Sequence, residues 1–477
     1  MQSFDLVIIG SGPGGYKAAI TAAHLGAKVA LVEKGLVGGT CLNQGCIPKK
    51  TLLHLATLIE EVNRLQGCGL LGGIHGDFMA AIAHKDAVVT SIRDNFPVWL
   101  KRLGVSVFSG SASFIAPFRI KIETADTPAT DLVAKRIIIA TGAEPRELST
   151  CPTDGKIVIN SRDFMFKQDH LPKSILFVGG GAIGVELGYL LHQFGSKVTI
   201  AEQGANLLGQ ARLPGRASNF LERKFKRLGI EVRTGLSVAQ CDISSGTARI
   251  TFTDGSQGEY EQVMIAIGRQ PNTDGLNIEA AGIALDADGF VQTSAHLETN
   301  VPGIYAIGDV KHGPMTANAA LHDAKIAAAN AISGNTFHPN YHKVPVVIHS
   351  AVEIAAVGLM EDSAEEAGFT PEVARTNLGG SGKARAHHDT EGFIEVVHDT
   401  ETGQLLGGCI VGPEAGEQIH MLAAACQSER GLWFFKDMSY SHPSWCEELE
   451  TAIDPYTSAF SRSEKNIFLP GIYAHHG

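Results

Sequence analysis

The chain of 477 residues is poor in cysteine, in aromatic residues and in charge, with eight cysteines, 7% Phe, Trp and Tyr, and 19% Asp, Glu, Lys and Arg. Eight cysteines in so long a chain are too few for a disulfide-stapled secreted scaffold, so a disulfide here is expected to be catalytic rather than structural. No apolar run approaches the ~20 residues that cross a bilayer, and no membrane is expected as a partner. The opening MQSFDLVIIG has no basic segment or cleavage site, and a cytoplasmic setting is expected. Positive charge is not in excess either. The 39 Lys and Arg against 50 Asp and Glu leave a formal charge of −11, which offers no footprint for a polyanion, so nucleic acid is not expected as a partner. The length calls for about three domains rather than one core. The surplus is glycine, whose 54 residues are about 11% of the chain against a usual ~7%.

Two stretches use that surplus in the same way. Leu6-Val7-Ile8-Ile9 is an aliphatic run of the kind a strand buried on both faces shows, and it leads into Gly10-Ser11-Gly12-Pro13-Gly14-Gly15. Residues 16–25 read as a helix ended by Gly26, and residues 28–32 as a strand closing on Glu33. In this β-α-β fingerprint Gly10 allows the tight turn, Gly12 admits a pyrophosphate, Gly15 lets helix and strand pack, and Glu33 can accept from a ribose hydroxyl. The unit recurs at Gly179, Gly181 and Gly184, with a helix to Phe194, then Gly195, and a strand ending in Glu202. A constant shift of 169 residues superposes the glycines, both acids and both helix-ending glycines. Two nucleotide-binding folds are expected. A carboxylate at Glu202, followed by Gln203, Gly204 and Ala205 with no arginine, favours NAD over NADP at the second.

Between the first fold and its next strand lies Gly38-Gly39-Thr40-Cys41-Leu42-Asn43-Gln44-Gly45-Cys46-Ile47-Pro48-Lys49-Lys50. Cα atoms five apart in a regular helix are about 8.6 Å apart, beyond the ~7 Å reach of a disulfide. A bridge would therefore require a distorted segment, for which Gly45 supplies backbone freedom. The loop has no acid, and Lys49 and Lys50 would favour thiolates. Zinc ligation would need a second close Cys/His pair, which is not evident, and no metal is assigned. The residues by themselves leave three readings open: a redox pair, a metal site, or two buried cysteines.

GGTCLNQGCIPKK resembles the redox motif of the flavin-dependent pyridine nucleotide–disulfide oxidoreductases, and the likeness extends over essentially the whole chain. Ala140-Thr141-Gly142, Ala266-Ile267-Gly268-Arg269-Gln270-Pro271-Asn272 and Thr299-Asn300-Val301-Pro302-Gly303-Ile304-Tyr305-Ala306-Ile307-Gly308-Asp309 carry it further. Within the family the chain is most similar to the dihydrolipoamide dehydrogenase branch. The resemblance implies a Cys41–Cys46 redox disulfide, with Cys41 facing substrate and Cys46 facing the flavin. It implies Lys50 beside the flavin, paired with Glu186. It also implies that His442-Pro443-Ser444-Trp445-Cys446-Glu447 supplies a base, His442, oriented by Glu447. FAD and NAD are the cofactors implied. Gly10, Gly12, Gly14, Gly15, Glu33, Lys34, Gly39, Thr40, Lys50, Thr141, Gly142, Asp309, Met315, Thr316 and Ala317 are expected around them, with Gly179, Gly181, Gly184, Glu202, Gly268 and Arg269. The remaining cysteines, Cys68, Cys151, Cys241, Cys409 and Cys426, are read as packing residues, and Cys446 has no assigned role.

The expected architecture is α/β, with two Rossmann-like dinucleotide-binding domains and a C-terminal α+β dimerisation domain. Residues 1–150 and 271–345 form the FAD part, 151–270 the inserted NAD domain and 346–477 the interface domain. The implied partners are a second copy in a homodimer and either a lipoyl-bearing protein or a small disulfide or dithiol. Several positions depart from the lipoamide branch. Lys49 stands where that branch has serine, Tyr440 and Asn318 replace histidines, and Glu447-Glu448-Leu449 is similar to glutathione reductases. Against a glutathione reductase, Gln203 and Gly209 occupy places where NADPH-using relatives carry arginine. An NADH oxidase or diaphorase would use only the flavin and the nicotinamide and leave the double-cysteine loop idle, and a non-catalytic flavoprotein partner of a larger complex is a further alternative that disulfide-dependent turnover would separate. The tail, residues 472–477, lacks the paired cysteines of mercuric reductases.

Overall fold

The computed structural model describes residues 2–125, 128–244 and 246–457, and the tail at residues 472–477 lies outside them. The described residues form two compact units. One consists of residues up to Asn63 with Gly72–Ala205 and Ile230–Tyr341, and the other of Arg64–Leu71, Asn206–Gly229 and the described residues from His342 on.

In the first unit β1 (Gln2–Ile9) and β2 (Val29–Glu33) pair in parallel, Leu6 opposite Val29 and Ile9 opposite Val32. Their sheet runs in the order Val105–Ser109, β2, β1, Thr130–Ile139. Beyond the last strand lie Ile304–Ala306, parallel to it, and the antiparallel strands Arg119–Glu123 and Ser111–Ala116. The continuous aliphatic runs follow from burial on both faces. Val7, Ile9, Ala30 and Val32 pack on one face with Phe114, Ile137 and Ile139. Leu6, Ile8, Val29 and Leu31 pack on the other, against alanines of α1 (Pro13–His24) and of the helix Ala317–Ser333. Each fully buried side chain of this size stabilises the fold by about 1.5–3 kcal/mol. Helix α1 starts at Pro13, where the missing N–H costs nothing, rather than at residue 16.

The second parallel sheet repeats the order as Glu231–Thr234, Lys197–Glu202, Ser174–Val178, Gln262–Ile265, Val158–Asn160. In both sheets the strand before the glycine motif lies between the strand after the motif's helix and a later strand. That reversal of strand order is where α/β sheets bind nucleotides. Two short strands, Ala143–Pro145 and Arg269–Pro271, pair antiparallel where the chain enters and leaves this fold.

The second unit is built on an antiparallel sheet, Val346–His349, Glu353–Gly358, Leu405–Val411, Phe393–Asp399, Pro371–Asn377. Alternation over residues 393–397, followed by residues 404–411, reads as antiparallel strands, and Phe393–Asp399 does pair antiparallel with Leu405–Val411, with all seven of its residues buried. Ile394 and Val396 lie under the helices Ala415–Ala425 and Glu447–Thr457, while Val397 packs with Leu406 and Ala364. The polar Glu395 is accommodated by Arg375, whose Nε donates to it at 2.9 Å. Helix Gly215–Leu228, which the sequence places in the NAD insertion, belongs to this unit through Arg227 and Lys224 on Glu391, at 2.7 and 3.5 Å, and Arg216 on Glu395, at 3.5 Å.

Candidate active site

The two glycine motifs build the same cradle. Gly10 and Gly179 have φ of +101° and +110°, and a Cβ on either would collide with the carbonyl oxygen of Ala140 or Ala266. A Cβ on Gly15 would overlap the Gly10 oxygen, and one on Gly184 the Gly179 oxygen, so helix and strand touch backbone to backbone. Gly12 and Gly181 cap their helices without a side-chain hydrogen bond, and a Cβ on either meets nothing within 4 Å. Uncapped helix N-termini facing open space suit a pyrophosphate. Glu33 accepts from the Ser11 and Gly35 amides, both at 2.8 Å. Glu202 accepts from Gly180 at 2.7 Å and from Gly204 at 2.6 Å. The 169-residue register therefore extends to the hydrogen bonds, and the residues present fit two dinucleotides.

The first cradle leads into the cysteine pair. Gly39 lies against Gly12, where a Cβ would come within 2.7 Å of the Gly12 Cα, and Thr40 follows in α2 (Gly39–Gln44). Lys34 is exposed just past β2. The chain breaks at Gly45, with φ −135° and ψ −106°, before α3 (Cys46–Arg64). That interruption is the distortion the spacing demands. Cys41 and Cys46 are thiols here, in side-chain hydrogen-bond contact. The bond from Cys41, together with Lys49 and Lys50, holds Cys46 down to about 7 against the opposing effect of burial. Cys41 is pushed far up by donating that bond and by burial. One thiolate, on Cys46, and one thiol, on Cys41, are the result.

Glu186, with a side chain only 2% exposed, lies on the helix Ala182–Phe194 and faces both lysines. The family resemblance pairs it with Lys50. In the structure Lys49 touches Oε2, while Lys50 Nζ is 3.8 Å from Oε1. Starting α3 at Cys46 puts residues 49 and 50 one turn on, on the cysteine's own face of the helix.

The remaining cofactor candidates gather in the same unit. Thr141 Oγ1 donates to the Asn272 carbonyl at 2.7 Å, and Asn272 Nδ2 returns a bond to Thr141 O at 3.0 Å, beside Gly142. Arg269, after Gly268, lies 3.7 Å from Asp309 Oδ2 and bonds the Ala143 carbonyl. Burial raises the Asp309 pKa, and Arg269 opposes it. Met315 precedes Thr316, which caps the helix beginning at Ala317 by accepting from the Ala319 amide.

The base candidate lies in the second unit. His442 Nδ1 is 3.1 Å from Glu447 Oε2, and the imidazole is 81% exposed. Glu447 Oε1 also accepts from the Ser444 amide at 3.3 Å, which fixes the carboxylate at the first turn of the helix Glu447–Thr457. The peptide bond between His442 and Pro443 is cis. Tyr440 donates to the Phe435 carbonyl at 2.9 Å, and burial raises the Cys446 thiol pKa.

Sequence reasoning missed three contributors. The buried Ser11 hydroxyl donates to Glu33 at 2.7 Å and accepts from the Gly38 amide at 3.0 Å, tying cradle, acid and redox helix together. Lys49 stands out in the sequence as a departure from the lipoamide branch and as a cation favouring thiolates, but its pairing with Glu186 was missed. Asp323 accepts from the Gly308 amide at 3.1 Å and from Tyr341 at 2.7 Å, and it faces Lys311 at 3.3 Å, bracing the turn that carries Asp309. Ser11 had a signal in its place inside the glycine motif, and Asp323 had none.

A thiol pair beside two lysines that face a buried glutamate, with two dinucleotide cradles in the same unit, defines an oxidoreductase that couples FAD and NAD to a disulfide. The chain belongs to the pyridine nucleotide-disulphide oxidoreductase family, which matches residues 4–324, with the family's dimerisation domain matching residues 344–453. It is 36% identical to a dihydrolipoyl dehydrogenase of Thermus scotoductus over 464 residues, covering 95% of this chain and 97% of that one. A mitochondrial dihydrolipoyl dehydrogenase of Pisum sativum is 32% identical, covering 94% and 90%. Among solved structures, LpdA of Mycobacterium tuberculosis superposes with a TM-score of 0.87 at 25% identity, covering 95% and 99% of the two chains. The HOCl-induced flavoprotein disulfide reductase RclA of Escherichia coli, as its Cu(II) complex, gives 0.84 at 28%, covering 96% and 100%. Among the described residues no helix is long and apolar enough to cross a membrane.

Proposed function

We propose that the protein oxidises the dihydrolipoyl group of a lipoyl-bearing protein to its cyclic disulfide and reduces NAD⁺ to NADH, acting as a cytoplasmic homodimer. The thiol contact between Cys41 and Cys46 at the head of α3 carries this reading. The relatives named dihydrolipoyl dehydrogenase support the substrate. Glu202, with no arginine in the three residues after it, supports NAD, since its carboxylate would repel a 2′-phosphate.

With Nδ1 turned to Glu447, the His442 ring offers Nε2 to a substrate thiol, and the carboxylate stabilises the imidazolium that forms. The substrate thiolate attacks Cys41 Sγ of the oxidised pair, and Cys46 leaves as thiolate. Leaving is favoured because Cys46 is held at about 7. The second substrate thiol then displaces Cys41, releasing the cyclic disulfide, so the substrate's two electrons and two protons pass to the protein. Gly10, Gly12, Gly15, Glu33, Thr141 and Asp309 would hold FAD, and Gly179, Gly181, Gly184 and Glu202 would hold NAD. When bound, FAD would supply two-electron acceptance from the dithiol and hydride transfer to NAD⁺. Lys49, Lys50 and Glu186 keep a fixed charge pattern beside Cys46.

The contact between Lys49 and Glu186 favours a second reading, because Pro48-Lys49-Lys50 is the form glutathione and trypanothione reductases show. One spectrophotometric grid of NADH and NADPH against lipoamide and glutathione disulfide decides between them. NADH with lipoamide is the expected productive pair, and NADPH with glutathione disulfide would replace this reading by the second.

A further inference from the structure

Cys151 and Cys241, far apart in sequence and read there as packing residues, have their thiols in hydrogen-bond contact, the relation that Cys41 and Cys46 also show. Cys151 lies in the connection that enters the second nucleotide fold and is fully buried, in one cluster with Val158, Leu176, Ile250 and Phe252. Cys241 lies on the strand Val238–Ser244, partly exposed, and packs against the same cluster. A side-chain hydrogen bond ties the two segments beside the sulfurs, Thr150 Oγ1 donating to the Val238 carbonyl at 2.8 Å, and within the first segment the Cys151 amide donates to Leu148 O at 2.9 Å. The sulfurs therefore meet between segments that are already anchored.

We propose that Cys151 and Cys241 are a second redox dithiol, which low-molecular-weight disulfides oxidise to an intramolecular disulfide that staples the entering connection to the strand Val238–Ser244. Cys241 is the attacking sulfur, since solvent reaches it and does not reach Cys151. Its thiolate attacks one sulfur of the small disulfide and expels one thiolate, forming a mixed disulfide. Cys151 then loses its proton and attacks Cys241 Sγ, expelling the second thiolate and closing the bridge. The protein gives up two electrons and two protons, and the small disulfide leaves as two thiols. Burial raises the pKa of both cysteines, so closure is slower than exchange at Cys46 and speeds up as pH rises. None of this depends on which dithiol the Cys41–Cys46 pair serves.

The test is peptide mapping of the FAD-loaded protein after incubation with excess glutathione disulfide at mildly alkaline pH, with remaining thiols blocked by iodoacetamide before non-reducing digestion. The expected result is a peptide containing Cys151 linked to one containing Cys241, lighter by two hydrogens than their sum, absent after dithiothreitol and absent in Cys241→Ser. Recovery of both cysteines as alkylated thiols while Cys41 and Cys46 are bridged would overturn the proposal. So would glutathione adducts on either cysteine without the link.

Discussion

Cys46 opens α3 with a hydrogen bond from Cys41 on one side and two lysines a turn away on the other, and the balance of these with burial decides its chemistry. Its value in the fold, about 7, lies below the ~8.5 of a free thiol. The Cys46 thiolate therefore stabilises the reduced fold above the free-thiol value, and this contribution is lost as pH falls through about 7. The ultraviolet thiolate absorbance of the reduced protein should titrate with a midpoint near 7, and Lys49→Met should move that midpoint up more than Lys50→Met does. An equal or reversed effect would return Glu186 to Lys50 as its principal partner. At this scale the sequence exposed the cysteines but not the ranking of the lysines. That ranking depends on where α3 starts and on which carboxylate of another helix it meets, and only the folded chain brings Glu186 to Lys49.

At the scale of elements, the two β-α-β units are chemically equivalent, yet they are proposed to serve different nucleotides, so they can be separated by experiment. Gly15→Ala and Gly184→Ala each drive a Cβ into the carbonyl oxygen of the first glycine of their own motif. The strain is local to one cradle. Gly15→Ala is expected to purify with most of its FAD lost, measured as bound flavin per chain. Gly184→Ala should keep FAD and raise the KM for NAD⁺ by about tenfold or more, the effect of ~1.4 kcal/mol of lost binding. These cradles were readable because the positive φ of Gly10 and Gly179 and the close backbone approach at Gly15 and Gly184 exclude a side chain, so the constraint is written into residue type. The strand Phe393–Asp399 was readable as a strand from the alternation of residues 393–397, but its burial on both faces was not, since that depends on the helices and strands packed on it and on the pairing of Glu395 with Arg375 and Arg216.

For the whole molecule, the match to a dimerisation domain includes His442 and Glu447. We propose that in a homodimer His442 serves the cysteines of the partner subunit, so that Cys41→Ser and His442→Gln each lose nearly all turnover alone. His442→Gln should cost roughly 10²–10⁴-fold in kcat/KM. Dissociated and reassociated in equal amounts, the two variants should recover about one quarter of wild-type turnover, because half of the dimers are mixed and each mixed dimer has one complete site. No recovery would place both parts of the site on one chain. The two nucleotide folds were legible from the repeat of the glycine motif, but the joining of helix Gly215–Leu228 to the C-terminal unit was not, because it rests on ion pairs to Glu391 and Glu395 that no local pattern announces. The account turns on electrons passing through Cys41 and Cys46. Its most direct test is dihydrolipoamide-dependent NADH formation by the FAD-loaded wild type beside Cys46→Ser. Steady turnover in the wild type and none in a variant that still binds FAD is the predicted result, and turnover retained in Cys46→Ser would contradict it.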